Sequence, residues 1–327
     1  MHDAVQNGRR PLLVTGGAGF IGGHLVRSLA AEGQQVRVLD DLSTGRAGTL
    51  ASLAGVDLIR GSVLDPKAVA AAADGVGMVI HLAGVVGMRL AADRAAYAFE
   101  VGRTGTANVL RHSGDVPAVL VSSSAVYGLS DGSRPLAEDI ELNRALPFAY
   151  DGDKDGYATG KWESEKLGAA AAGRRPVLVV RPFNVVGPRQ RSRYGMVIPT
   201  FLQQATSNVP LTIHDDGTQR RCFTGVTEFV QVLRQLIDVP RAWRTDGGAY
   251  NIGSTTQTSI ADLAGLVLAA TGSTAGVEHV PYQQVFPGRT DVTGRVPDLS
   301  RLQEMTGVPV WLPVADIIDE MLRTPGT

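Results

Sequence analysis

Six short apolar runs punctuate the first half of the chain, at 11–15, 35–40, 56–60, 78–82, 118–122 and 177–181. Their apolar residues are consecutive rather than alternating, and turn residues bound each run. That pattern suits strands buried on both faces of a parallel sheet. Between them, residues 20–32, 66–73, 94–112 and 157–172 read as helices. Regular strand–helix alternation predicts an α/β fold with a doubly wound parallel sheet. After Phe183 the pattern weakens and turn pairs accumulate, among them Gly187-Pro188, Asp216-Gly217 and Pro287-Gly288. The expected organisation is a cofactor domain over 1–183, with 1–10 a loose leader. A smaller C-terminal α/β substrate lobe follows over 184–327, some of its segments returning to the first core.

Composition narrows the function classes. The chain of 327 residues is 44% hydrophobic and 19% charged, with a formal net charge of −1. These are globular values, and no global field favours nucleic acid or an anionic membrane. No apolar run reaches the roughly 18 residues a membrane span needs, and the polar start lacks a signal-peptide core. A cytoplasmic protein is expected. Cys222 is the single cysteine, which excludes an intramolecular disulfide or a cysteine metal cluster; no metal is expected.

Thr15-Gly16-Gly17-Ala18-Gly19-Phe20-Ile21-Gly22 falls where the first strand should end and a helix begin. Glycines there permit a tight turn, close approach of a pyrophosphate and close helix–strand packing. The helix start offers N–H groups and a positive dipole end to phosphates. Asp40 closes the second strand, where a carboxylate accepts hydrogen bonds from ribose hydroxyls and repels a 2′-phosphate, favouring NAD over NADP. The plainer alternative is that Asp40 or Asp41 caps the following turn.

Tyr157 and Lys161 stand four apart, one turn apart on one face of a helix. A neighbouring ammonium favours the phenolate and brings tyrosine towards working range as a base. Ser122-Ser123-Ser124 ends a buried strand at the edge that faces the ligand crevice in such sheets. A serine there can steady a substrate oxygen while Tyr157 takes its proton.

With these residues in hand, the chain resembles the extended short-chain dehydrogenases that act on nucleotide sugars, a family of Rossmann-type proteins. The likeness rests on the glycine motif and on Asp40-Asp41-Leu42-Ser43, His81-Leu82-Ala83-Gly84 and Ser122 to Gly128. It continues through Tyr157 with Lys161, Arg181 to Gln190, Val197-Ile198-Pro199, Asp216 to Arg221, Tyr250 to Gly253 and Arg295-Val296-Pro297-Asp298. The resemblance implies Ser123, Tyr157 and Lys161 as catalytic residues. It implies NAD contacts from Gly16, Gly19, Phe20, Ile21, Gly22, Asp40, Asp41, Ser43, Ser62, Val63, Leu82, Ala83 and Gly84, together with Tyr157 and Lys161. A nucleotide-diphosphate sugar would meet Ser123, Ser124, Asn184, Val197, Arg221, Arg289 and Arg295. The resemblance also implies a homodimer, built on 94–112 and 157–172.

Departures within the motifs shape the expected reaction. Sugar dehydratases of this family carry an Asp-Glu pair after the catalytic Ser/Thr, and decarboxylases usually keep the glutamate; here the positions are Ser124 and Ala125. The resemblance therefore implies epimerisation at C4 through a transient 4-keto sugar. Dehydration, decarboxylation or reduction of the same intermediate is the alternative, and a non-catalytic NAD sensor is a distant third. Ser62 replaces the usual adenine-contacting Asp, Gly102 a usual Asn, and Cys222 an Asp. The charged stretch 150–156 either shapes the substrate pocket or forms a solvated loop.

Overall fold

A computed structural model describes residues 10–139, 156–243, 246 and 248–324. The first-half runs become strands β1 (Leu12–Thr15), β2 (Val36–Asp40), β3 (Val56–Arg60), β4 (Met78–His81), β5 (Ala118–Val121) and β6 (Val177–Pro182). With Ala249–Ile252 they form one seven-stranded sheet. From the Ala249–Ile252 edge, the order runs β6, β5, β4, β1, β2, β3, and every pairing is parallel. β4 and β5 are buried at every position, as consecutive apolar residues require when helices cover both faces. β3, at the sheet's edge, has no fully buried residue.

The winding reverses between β1 and β4, its two neighbours in space being the start of the chain and the fourth strand. A crevice opens beyond the carboxyl ends of the strands at such a switch point. Behind it, the core joins Val14, Ile80, Val119 and Leu178 to Phe229, Leu233 and Tyr250. A second cluster, with Ile198, Phe201, Leu263 and Ile317, is built from helices Val197–Thr206, Ile260–Thr271 and Val314–Arg323. The parallel pair Leu211–His214 and Val277–Val280 contributes Leu211 and Ile213 to it. Among the described residues no helix is long and apolar enough to cross a membrane.

Helices occupy Phe20–Ala31, Pro66–Ala73 and Gly156–Ala171, within a residue of the boundaries expected from the pattern. The stretch 94–112 differs. It is helical over Ala95–Glu100 and Thr106–His112, with a wide π turn, Val101–Gly105, between them. The reason is tertiary. Gly102 backs directly onto Gly160 of the tyrosine helix, and a Cβ at Gly102 would lie 2.7 Å from the Gly160 carbonyl carbon. Thr106 donates to the Gly102 carbonyl at 2.6 Å, satisfying an acceptor in the widened turn. Gly102→Ala is expected to force the two helices apart and lower stability by about 1–3 kcal/mol, measured as a shift in the urea midpoint at unchanged m-value.

Candidate active site

The crevice is a cleft of about 1250 Å³ running from the glycine turn, past the serine loop, to the strap of residues 288–295. At one end, Gly16 adopts φ +70° and its N–H donates to the Leu39 carbonyl at 2.8 Å. A Cβ on Gly16 would stand 2.8 Å from the Ala83 nitrogen; one on Gly22 would stand 2.2 Å from the Gly16 oxygen. Any side chain would fill the cradle. The helix Phe20–Ala31 starts here with no side-chain cap and no acid in its first turn, so its leading N–H groups face the cleft and suit a pyrophosphate.

Asp40 reconciles both readings of its position. Its Oδ2 accepts from the Ala18 N–H at 2.9 Å and its Oδ1 from the Leu42 N–H at 2.8 Å. It therefore ties the glycine turn to the loop after β2, and lone pairs remain for ribose hydroxyls on the cleft side. Burial raises its pKa, partly offset by those two backbone donors. Asp41 accepts from the Ser43 N–H and hydroxyl, a local turn. Ser62 and Val63 line the cleft beyond, with Leu82, Ala83 and Gly84 opposite. The uncapped helix start, the glycine cradle and the buried acid together fit a dinucleotide such as NAD.

β5 and the tyrosine helix Gly156–Ala171 meet at the catalytic end. Ser123 caps the short helical turn Ser124–Tyr127, its Oγ accepting from the Ala125 N–H at 3.1 Å. Tyr157 stands half-buried in the cleft wall near it, and the Ser123 hydroxyl lowers the Tyr157 pKa. Lys161 is 5% exposed and donates through Nζ to the Val121 carbonyl at 2.7 Å. The sequence suggests that Lys161 depresses the Tyr157 pKa. In the structure burial raises the Tyr157 pKa, and the neighbouring Ser123 hydroxyl offsets only part of that rise. Burial also presses the Lys161 pKa down to about 8, against the opposing pull of Glu165.

A buried relay not evident in the sequence supports this floor. His81, ending β4, bonds Thr15 Oγ1 through Nδ1 (2.6 Å) and Thr106 Oγ1 through Nε2 (3.0 Å). Thr106 also meets Ser164 of the tyrosine helix at 2.9 Å. Burial, with Lys161 adding to it, lowers the His81 pKa to about 3, so the ring is neutral. A proton on Nε2 satisfies the whole chain, leaving Nδ1 to accept from Thr15.

The expected substrate residues are only partly brought together. Ser124, Asn184, Arg221, Arg289 and Arg295 all border the cleft. Asn184, at φ +34°, donates to the Cys222 carbonyl at 3.0 Å. Arg221 pairs with Asp291 at 2.8 Å and donates to the Val292 carbonyl, which holds the strap down. Arg295 donates through Nε and Nη2 to the Gly128 carbonyl, beside the serine loop. Val197 departs from expectation: it packs against the second hydrophobic cluster, and Met196 takes its place on the wall. One residue's rotation at the start of the helix Val197–Thr206 decides which side chain faces in. Arg189 and Asp291 also line the cleft without having been anticipated. Arg189 holds φ +69° just after Gly187-Pro188, a turn signal that the sequence does carry. The stretch 150–155 lies outside the described residues.

A parallel sheet with a ligand crevice at its switch point, a glycine cradle and a Ser–Tyr–Lys floor defines a Rossmann-type dinucleotide enzyme. The chain belongs to the NAD dependent epimerase/dehydratase family, which matches residues 12–253. It is 33% identical over 304 residues to a UDP-N-acetyl-alpha-D-glucosaminuronate decarboxylase of Bacillus cytotoxicus, covering 91% of this chain and 92% of that protein. It is 31% identical to a dTDP-4-dehydro-6-deoxy-D-allose reductase of Streptomyces, covering 90% of each. The fold matches that of UDP-glucose 4-epimerase from Thermotoga maritima with a TM-score of 0.83 at 23% identity, covering 96% of this chain and 98% of that one.

The buried lysine yields a stability test. The folded state binds this proton less tightly than the unfolded chain, so burial of the charge costs stability below about pH 8. The cost is relieved as pH rises from there towards the ordinary value of 10.5. Lys161→Met is therefore expected to be at least as stable as the parent at pH 7, the difference shrinking towards pH 10. Urea titrations of both proteins across that range check it.

Proposed function

We propose that this protein is an NAD-dependent decarboxylase of a nucleotide-diphosphate sugar that carries a carboxylate at C6. The observation that carries the reading is the bare serine loop: Ser123 shares the cleft with Tyr157 and Lys161, while Ser124 and Ala125 supply no second acid–base pair. Oxidation at C4 turns a 6-carboxylate into a β-keto acid, which loses CO₂ without a base at C5. Ala125 therefore does not stand against decarboxylation, although the family resemblance made it a reason to prefer epimerisation. The Bacillus cytotoxicus relative, a decarboxylase similar over nearly its whole length, supports this fate. Similarity to an epimerase at 23% identity supports the fold alone.

Gly16, Gly22, the start of the helix Phe20–Ala31, and Asp40 would hold NAD, which supplies the hydride acceptor and donor when bound. Tyr157 takes the C4 hydroxyl proton and Ser123 steadies the oxygen. Lys161, once the site is closed to water, favours the phenolate by its charge. As CO₂ leaves, negative charge develops on the C4 oxygen, and the Tyr157 and Ser123 hydroxyls donate to it. After C5 takes a proton from water, Tyr157 returns its proton to the C4 oxygen as that carbon is reduced. Arg221 and Asn184 anchor the diphosphate, with Arg221 exchanging Asp291 for phosphate oxygens that its planar fork matches better.

Incubation with catalytic NAD and UDP-glucuronate or UDP-N-acetylglucosaminuronate is expected to release CO₂ in step with a nucleotide pentose, without accumulating NADH. Proton NMR and trapped CO₂ measure this. A product epimerised at C4 with its carboxylate intact would return the reading to 4-epimerisation. Tyr157→Phe is expected to lower kcat by about 10²–10⁴-fold. Arg221→Ala is expected to raise KM for the nucleotide sugar with a smaller effect on kcat.

A further inference from the structure

Behind the serine loop lies a charged network that the chemistry above does not use. Glu165 and Arg181 are both almost completely buried. They pair twice, Arg181 Nε to Oε1 at 3.0 Å and Nη2 to Oε2 at 2.7 Å. Arg181 Nη1 also donates to the Tyr127 hydroxyl at 2.8 Å and to the Glu138 carbonyl at 3.1 Å. Tyr127 donates to Asn251 Oδ1 at 2.7 Å. The Ser122 hydroxyl, next to Ser123, donates to Glu165 Oε1. One carboxylate thus joins the tyrosine helix, the strand β6 and both ends of the serine turn.

Glu165 also sits four residues beyond Lys161, the spacing that stacks two side chains on one helix face. A desolvated ion pair placed here is poor economy for stability alone, since apolar residues of similar volume do as well or better. We propose that Glu165 is a positioning residue for the redox step, fixing Ser123 through Ser122 and presenting a carboxylate to the Lys161 ammonium. The inference rests on the roles given above to Ser123 and Lys161, but not on which sugar is the substrate.

The surroundings of Lys161 leave Glu165 as its only nearby acid among the described residues with a resolved influence on it. Its own helix adds the Tyr157 phenol. β4 adds the neutral His81, β5 only the Val121 carbonyl, and the helix after the π turn the Thr106 hydroxyl that His81 meets. Arg181, on β6, lies on the far side of Glu165 and is neutralised by it. Burial pushes the Lys161 pKa down and Glu165 opposes that push.

Two variants separate the two arms. In Glu165→Gln, the ¹³C NMR signal of Lys161 (labelled at Cε, assigned with Lys161→Met) should titrate about one pH unit lower than in the parent. In Ser122→Ala, that titration should stay put while kcat falls about tenfold to 10²-fold with KM within about twofold. Should Glu165→Gln leave Arg181 too exposed to its missing charge to fold, Glu165→Gln/Arg181→Gln restores hydrogen bonding with two amides and carries the same titration. An unshifted Lys161 signal in the glutamine variant would overturn the electrostatic arm, and parental kcat in Ser122→Ala the positional one. The NMR titration needs no substrate, so a failure of the decarboxylase reading cannot be mistaken for a failure of this one.

Discussion

The site depends on one topological constraint. A parallel sheet buried on both faces admits a ligand only where the winding reverses, and here that place lies between β1 and β4. Apart from Tyr157 and Lys161, which a helix supplies, the main groups around the cleft floor come from segments at the carboxyl ends of strands. β1 releases the glycine turn, β2 delivers Asp40, β4 ends in His81, β5 runs into the serines, and β6 brings Arg181 behind them. The tyrosine helix closes the arrangement because Gly160 lets it lie against Gly102 at backbone contact distance. A wider spacing would carry Tyr157 away from Ser123.

Placing a lysine and a tyrosine in so dry a corner has electrostatic consequences. Burial disfavours the charged form of each, lowering the Lys161 pKa to about 8 and raising that of Tyr157. The two proton affinities, nearly equal in water, are thereby driven apart, so that Lys161 gives up its proton before Tyr157 does. Lys161 is held by the Val121 carbonyl and Arg221 by Asp291. Both cations are thereby kept oriented beside the cleft.

Much of this was legible in the chain. Consecutive apolar residues reported the inner strands such as β4 and β5 because two-sided burial leaves little room for polar positions, and the glycine spacing reported the cradle because a Cβ has nowhere to go. The placements of Ser123, Tyr157 and Lys161 followed from local rules, namely a strand end and a helical repeat. Met196 rather than Val197 borders the cleft because a one-residue rotation at a helix start cannot be read from composition. The chain reads as one helix over 94–112 because nothing local announces a π turn.

What the sequence determined by itself was six of the sheet's seven strands, the glycine cradle and the spacing of the Tyr–Lys pair, since each is set by contacts within a few residues or by a binary pattern. Tertiary structure alone decided the rest. It widened the helix at Gly102, bound Arg221 to Asp291 across 70 residues, and joined Ser122 to Glu165 across 43. It also buried the Tyr157 phenol, which raises its pKa. Those outcomes turn on desolvation and on partners distant in the chain, and both quantities exist only once the chain has folded.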